Sequence, residues 1–232
     1  MEKVVTTARA SIAVEGVSVD FDGRAVLHDV TVDLTAPTIA VIGANGSGKS
    51  TFARLLNGLV APTTGQVTVD GLDTVRDRAL VRRRAGFVFA NPEAQILMPT
   101  PAEDLALSLR DLPRAQVQVR VRDTLAAQGL AAHADVPAST LSGGQKQMLA
   151  LASVLITEPR VIVADEPTTL LDLRNACRIA DLLLAQSAQV VLVTHDLELA
   201  ARCHTAVLFD EGRVTASGAP DDVIEAYRRS CG

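Results

Sequence analysis

GANGSGKST, Gly43 to Thr51, is the stretch that decides how this 232-residue chain is read. A compact apolar run, Thr38 to Ile42, leads into it, and Ser50-Thr51-Phe52-Ala53-Arg54-Leu55-Leu56 leaves it with apolar residues at helical spacing. That is strand, glycine-rich loop, helix, the context in which GxxxxGK[ST] acts as a phosphate cradle. The backbone of Gly43, Ala44, Asn45, Gly46, Ser47 and Gly48 is free to turn its N–H groups inward around phosphates, and the helix start at Ser50 and Thr51 favours their negative charge. Lys49 has the length to reach the terminal phosphates, and the Ser50 hydroxyl is a hard oxygen donor suited to magnesium.

Working outward, apolar residues alternate from Ser11 to Phe21 around Gly16 and again from Val30 to Leu34, which predicts two antiparallel strands. Pro62-Thr63-Thr64-Gly65 predicts a turn, followed by a strand from Gln66 to Asp70. From about Asn91 to Thr140 prolines alternate with alanine- and leucine-rich patterns such as EDLALSLRDL and VQVRVRDTLAAQGL, the texture of a helical side lobe. Beyond it, Gln145 to Ile156 and Asn175 to Ala185 are predicted helices, and Val161 to Ala164 and Val190 to Thr194 are predicted buried strands. Strand and helix in alternation imply a parallel sheet. A hairpin about Glu211-Gly212 and a short helix from Asp221 close the chain.

Three further stretches carry chemistry. VIVADE, Val161 to Glu166, is a buried strand ending in two carboxylates at the sheet edge where ligands of open α/β sheets sit. Asp165 is placed to hold magnesium, and Glu166, pointing differently, to polarise an attacking water. VVLVTHD, Val190 to Asp196, delivers His195 to the same edge, where hydrogen bonding to a terminal phosphate suits it better than metal ligation. LSGGQKQ, Leu141 to Gln147, precedes a helix, so Ser142, Gly143, Gly144 and Gln145 form a second anion-binding helix start. An ordinary N-cap followed by flexible glycines has the same local sequence. One nucleotide cannot use both cradles, and the second makes sense closing over the nucleotide of another subunit.

Bulk properties narrow the classes. The chain is 48% hydrophobic and 21% charged, ordinary for a globular fold and far from disorder. A formal net charge of −5 argues against nucleic-acid binding through a broad basic surface, and Arg82-Arg83-Arg84 is expected to be a solvated face. Cys177, Cys203 and Cys231 form no metal-ligand or CxxC pattern, which fits a reducing cytosol. The N-terminal residues lack a secretory layout, and no apolar run approaches the ~20 residues needed to span a bilayer. Any membrane-spanning partner is therefore expected to be a separate chain.

With these motifs in this order, the chain resembles the ATP-binding-cassette (ABC) superfamily over nearly its whole length, LSGGQ being the specific link between the two nucleotide motifs. The resemblance implies a single ABC ATPase domain over 1–232: an α/β P-loop NTPase core with a mostly parallel sheet plus an antiparallel β subdomain, the two jointly covering about 1–90 and 141–232, and a helical subdomain over about 91–140. It implies ATP and magnesium (Mg2+) as ligands, catalytic roles for Lys49, Glu166 and His195, and adenine stacking by Phe21. It also implies an Asp172-bearing loop that acts in trans beside Ser142, Gly143, Gly144 and Gln145. The implied partners are a second ABC ATPase subunit in a homodimer, a transmembrane coupling subunit and a substrate-binding membrane subunit, with the chain peripheral on the cytoplasmic face. No nucleic-acid partner is expected.

The Q-loop glutamine of the superfamily, which touches metal or water, aligns with Ala90 in FVFANPEAQ, and alanine can do neither. Asn91, Pro92, Glu93, Gln95, Glu103 and Asp104 fit the pattern of energy-coupling-factor importers, which take up vitamins and metal ions. LSGGQKQ and ADEPTTLLDL are similar to the biotin branch. Ile96, Leu97 and Met98 would then face the transmembrane partner, although any of them could equally be core. An exporter motor shares all this chemistry. A non-transport ABC ATPase of DNA repair or translation would need a coiled-coil insertion or a second cassette, and the sequence has neither.

Overall fold

A computed structural model describes residues 10–230; the nine N-terminal residues, Cys231 and Gly232 lie outside the described residues, and with them much of the N-terminal stretch and the third cysteine. The strands β1 (Ile12–Phe21) and β2 (Arg24–Leu34) pair antiparallel as their alternation requires, burying Ile12, Val14, Val17 and Val19. The register shifts between Val14 and Val17, where Gly16 adopts φ 57°. β2 starts at Arg24, earlier than its apolar alternation, because the tight hairpin hands its first residues ladder partners on β1. With β4 (Thr64–Val69) and β5 (Leu72–Asp73) these strands form a four-stranded sheet of order β2-β1-β4-β5.

The second sheet contains β3 (Thr38–Ile42), β6 (Ala85–Val88), β7 (Val161–Asp165), β8 (Gln189–Val193), β9 (Thr205–Asp210) and β10 (Arg213–Gly218), in the order β10-β9-β3-β8-β7-β6. The strands from β9 to β6 run parallel, and only β10 is antiparallel, to β9. β3, β7 and β8 are buried on both faces, which is why they read as continuous apolar runs. Ile39, Val41, Val161 and Val163 point into one core, against Phe52 and Phe209, whose ring centroids lie 4.8 Å apart. Ala40, Ile42, Ile162 and Ala164 point into the other, against Leu149, Leu151 and Ile179.

The helices are α1 (Lys49–Leu56), α2 (Arg78–Arg84), α3 (Pro101–Ser108), α4 (Arg114–Ala127), α5 (Gly143–Leu155), α6 (Leu173–Leu184), α7 (Leu197–Ala201) and α8 (Pro220–Ser230). α2 escaped the sequence pattern because it buries only Val81 and so has no apolar stripe. Its arginines are not merely solvated: Arg82 donates to the Gly58 carbonyl at 3.1 Å and Arg84 pairs with Asp70 at 2.6 Å, while Arg83 stays exposed. Of the described cysteines, Cys177 is exposed and free, and Cys203 is buried, its thiol pushed up to about 11 chiefly by burial. Among the described residues no helix is long and apolar enough to cross a membrane.

Candidate functional site

The C-terminal ends of β3, β8 and β7 lie side by side because the three strands are adjacent and parallel, with Val41 opposite Val193 and Val193 opposite Asp165. Each strand therefore empties its loop at the same edge. β3 delivers the loop Gly43–Gly48, β7 delivers Asp165 and Glu166, and β8 delivers Thr194 and His195.

α1 begins at Lys49 behind Gly48, which sits in a left-handed conformation at φ 98° and supplies no side-chain cap. The first N–H groups of α1 are thus left to a ligand or solvent. Lys49 is buried and its ammonium donates to the Gly43 and Ala44 carbonyls at 2.9 and 2.8 Å. Burial pushes its pKa below the usual lysine range, an effect opposed by the nearby Glu166 and Asp165 carboxylates. The Ser50 hydroxyl donates to Asp165 at 2.9 Å, and burial holds the Asp165 carboxyl above its usual range, with Ser50, Arg54 and Lys49 pulling it back. The hydroxyl of buried Ser47 has no hydrogen-bond partner among the described residues. A buried unpaired donor beside a buried lysine held only by loop carbonyls and a hydroxyl–carboxylate pair is an arrangement that a polyanion with a hard cation would satisfy.

Glu166 takes a left-handed backbone at φ 52°, unusual for a non-glycine residue and of the kind that collects at functional sites. Its N–H donates to the Val193 carbonyl at 3.0 Å, tying the turn to β8. The carboxylate accepts from Thr169 at 3.1 Å and from His195 Nδ1 at 2.7 Å, which leaves the other imidazole nitrogen to face outward from an exposed ring. Thr169 had no signal of its own in the sequence; only the loop's return brings it to Glu166.

A second group of residues assembles elsewhere. Ser142 caps α5 in a reciprocal box: its hydroxyl accepts from the Gln145 N–H at 3.3 Å, and the Gln145 side chain accepts from the Ser142 N–H at 2.8 Å. Gly143 is open to solvent, whereas a Cβ on Gly144 would come within 2.6 Å of the Asn175 side chain, so the α5 start lies hard against the start of α6. Asp172 caps α6 and holds Asn175 through both backbone and side chain; those hydrogen bonds, backbone first, hold its carboxyl below the usual range. Among the described residues no hydrogen bond joins this group to the loop, Asp165, Glu166 or His195.

Phe21 ends β1 at the hairpin tip and is 46% exposed, free to stack on a planar ring. The same hairpin touches the glycine loop, since a Cβ on Gly48 would meet Leu27 and the Val26 carbonyl. Ile96, Leu97 and Met98 do not share one environment: Ile96 packs on the core, Met98 is half-buried, and Leu97 is 72% exposed. Asp104, buried, accepts from the N–H groups of Leu97 and Met98 at 2.8 and 3.1 Å and so fixes the shape of this surface.

An open parallel sheet that gathers this loop, two carboxylates and a histidine at one edge defines a P-loop protein that binds and hydrolyses nucleoside triphosphate. Residues 27–169 match the ABC transporter family. The chain is 42% identical over 220 residues to the biotin transport ATP-binding protein BioM of Rhizobium etli, spanning 94% of this chain and 98% of that protein. Against BioM of Rhodobacter capsulatus the identity is 39% over 219 residues, 94% of each. The solved structure of cbiO1 from Clostridium perfringens, part of the ABC transporter complex cbiONQ, superposes with a TM-score of 0.82 at 28% identity over 95% of this chain and 93% of that one. A bacterial Atm1-family ABC exporter with ATP bound reaches 0.80 at 26% identity, covering 96% of this chain and 40% of that chain. The chain belongs to the ABC transporter family, and it is one of that family's ATP-binding, ATP-hydrolysing proteins.

Proposed function

We propose that this ATPase powers an energy-coupling-factor-type importer, peripheral on the cytoplasmic face of the membrane, and that its substrate is biotin. The relationship to the two BioM proteins over almost the full length of each is the observation that carries the substrate. The fold alone does not separate import from export, because the exporter superposes nearly as well.

In the proposed mechanism, entering phosphates take the unpaired donors at the α1 start, and Lys49 leaves the Gly43 and Ala44 carbonyls for the terminal phosphate. Phe21 stacks on adenine. Ser50 and Asp165 would hold magnesium, whose preference for oxygen donors they suit and whose charge would offset that of the phosphates. Glu166 orients the attacking water and takes up its proton, while His195 fixes the Glu166 carboxylate and offers its outer nitrogen to the transferring phosphate. Closing the site requires a second copy of the chain, whose Ser142, Gly143, Gly144 and Gln145 approach the same phosphates with Asp172 beside them. Leu170 and Leu173, 95% and 81% exposed, flank Asp172 and give that approach an apolar lining. Leu97 meets the transmembrane coupling subunit.

The test is uptake of labelled biotin by a biotin-auxotrophic bacterium expressing this chain with its membrane subunits. Uptake by the wild type, lost with Glu166→Gln, supports the assignment. Uptake of another vitamin or of cobalt without biotin removes biotin as the substrate and leaves the importer, and export activity removes both.

A further inference from the structure

Among the described residues β6 is the edge strand of the large sheet, paired only with β7, and its chain leaves the sheet at Val88. Phe89 is half-buried just past that point, so its backbone polar groups need partners that the sheet no longer supplies. Two glutamines provide them. Gln95 accepts from the Phe89 N–H at 3.1 Å, and Gln147 donates to the Phe89 carbonyl at 3.3 Å. The other end of the Gln95 carboxamide donates to the Ala150 carbonyl at 2.8 Å, and both Ala150 and Gln147 belong to α5. Lys146, on the same helix, pairs with Glu93 at 2.6 Å. α5 lies against β6 at Gly86, where a Cβ would come within 2.3 Å of Val154.

The next residue, Ala90, has no side chain able to reach nucleotide, metal or water. The loop is thus fastened to the helix that begins at Ser142, while side-chain contact from position 90 to its own sheet-edge site is missing. Two residues beyond Gln95, the exposed Leu97 is locked by Asp104.

We propose that Gln95 is a positioning residue that joins the exposed Leu97 surface to α5, so that this surface responds to nucleotide gripped at the Ser142 end of that helix and bound by the second subunit. The inference rests on the proposed head-to-tail dimer. In it, a carboxamide bridging two backbones does from the helix side what a side chain at position 90 would do from the nucleotide side. Gln95 touches no reacting atom, so its loss should disconnect movement without weakening ATP binding.

The chain contains no tryptophan, so Leu97→Trp in a Glu166→Gln background places a single indole reporter on this surface. With ATP and magnesium, the reporter chain should form a dimer on size exclusion and shift its emission. Adding Gln95→Met, nearly isosteric and unable to hydrogen-bond, should leave affinity for a fluorescent ATP analogue within about threefold and dimerisation intact, while the emission shift falls at least about fivefold. Gln95→Glu keeps the acceptor for Phe89 but has no donor for Ala150, and it should lose the shift as well. A full shift in both variants overturns the proposal, as does a reporter that stays silent with Gln95 in place. Loss of ATP binding together with the shift also overturns it, since Gln95 would then merely support the fold. Absence of any ATP-dependent dimer in the chain that retains Gln95 overturns the dimer itself, and this inference with it.

Discussion

The two glycine-led helix starts, Gly48 before α1 and Ser142-Gly143-Gly144 at α5, are alike in sequence logic and opposite in their state. At α1 there is no side-chain cap, Lys49 is folded onto its own loop, and the Ser47 hydroxyl is unpaired in the interior. At α5 the Ser142–Gln145 box has already satisfied one N–H of the helix and that of its cap. The first is unsatisfied at a cost in stability and so is built to be filled by a ligand. The second is stable as it stands and gains from a ligand only when one is carried to it. In the proposed dimer this contrast sets an order of events: ATP loads on α1 first, and the α5 start of the second subunit closes over it second.

The largest test separates loading from closure. Glu166→Gln should slow hydrolysis by ~10²–10⁴-fold, the usual effect of a lost general base, and ATP-loaded chain should accumulate as a dimer on size exclusion. Adding Ser142→Arg should keep ATP bound to a chain that stays monomeric; a dimer in that double variant would remove α5 from closure. Next in size, Lys49→Ala and Ser142→Arg chains, each inactive alone, should regain roughly a quarter of the wild-type rate when mixed. A random mixture is half heterodimers with one intact composite site each. No recovery where heterodimers demonstrably form would sink the trans arrangement or show that both sites must fire together.

A smaller effect probes the cost of the open site. The folded-state pKa of Asp165 is raised, so its ionisation opposes folding: stability is lost as pH rises from the ordinary 3.8 through the raised value. Asp165→Asn should therefore raise the melting temperature of the nucleotide-free chain at pH 7. The gain should fade as pH falls well below 3.8, where the carboxyl is protonated in the folded and unfolded chain alike. An equal gain at both pH values would mean that packing, not charge, is responsible. The smallest effect belongs to the closed site: Gln145→Ala, which removes one half of the box and the hydrogen bond to His133, should cost ~0.5–1 kcal/mol in urea unfolding.

The elements that were legible share one property: their meaning is covalently local. Alternation fixed β1 and the hairpin of β9 and β10, continuous apolar runs fixed β3, β7 and β8, and the loop, the carboxylate pair and LSGGQ are contiguous. β5, β6 and α7 were missed because two to five residues carry no measurable period, and α2 because it buries a single side chain. Arg82 and Arg84, read as solvated, are tied to Gly58 and Asp70 by the chain's return.

What the sequence determined by itself was the local make-up of the candidate site: a glycine-rich loop between strand and helix, two carboxylates and a histidine at strand ends, and a second glycine-led helix start. Contiguous residues on a strand–loop–helix frame can point only a few ways, so their spacing carries their geometry. Tertiary structure alone decided the connections: Glu166 with His195, Gly144 against Asn175, and Phe89 held by Gln95 and Gln147 across to α5. Each of these is a short-range contact between segments brought together by the order and direction of strands in the sheet. A hydrogen bond specifies about 3 Å of separation and says nothing about how many residues lie between its ends.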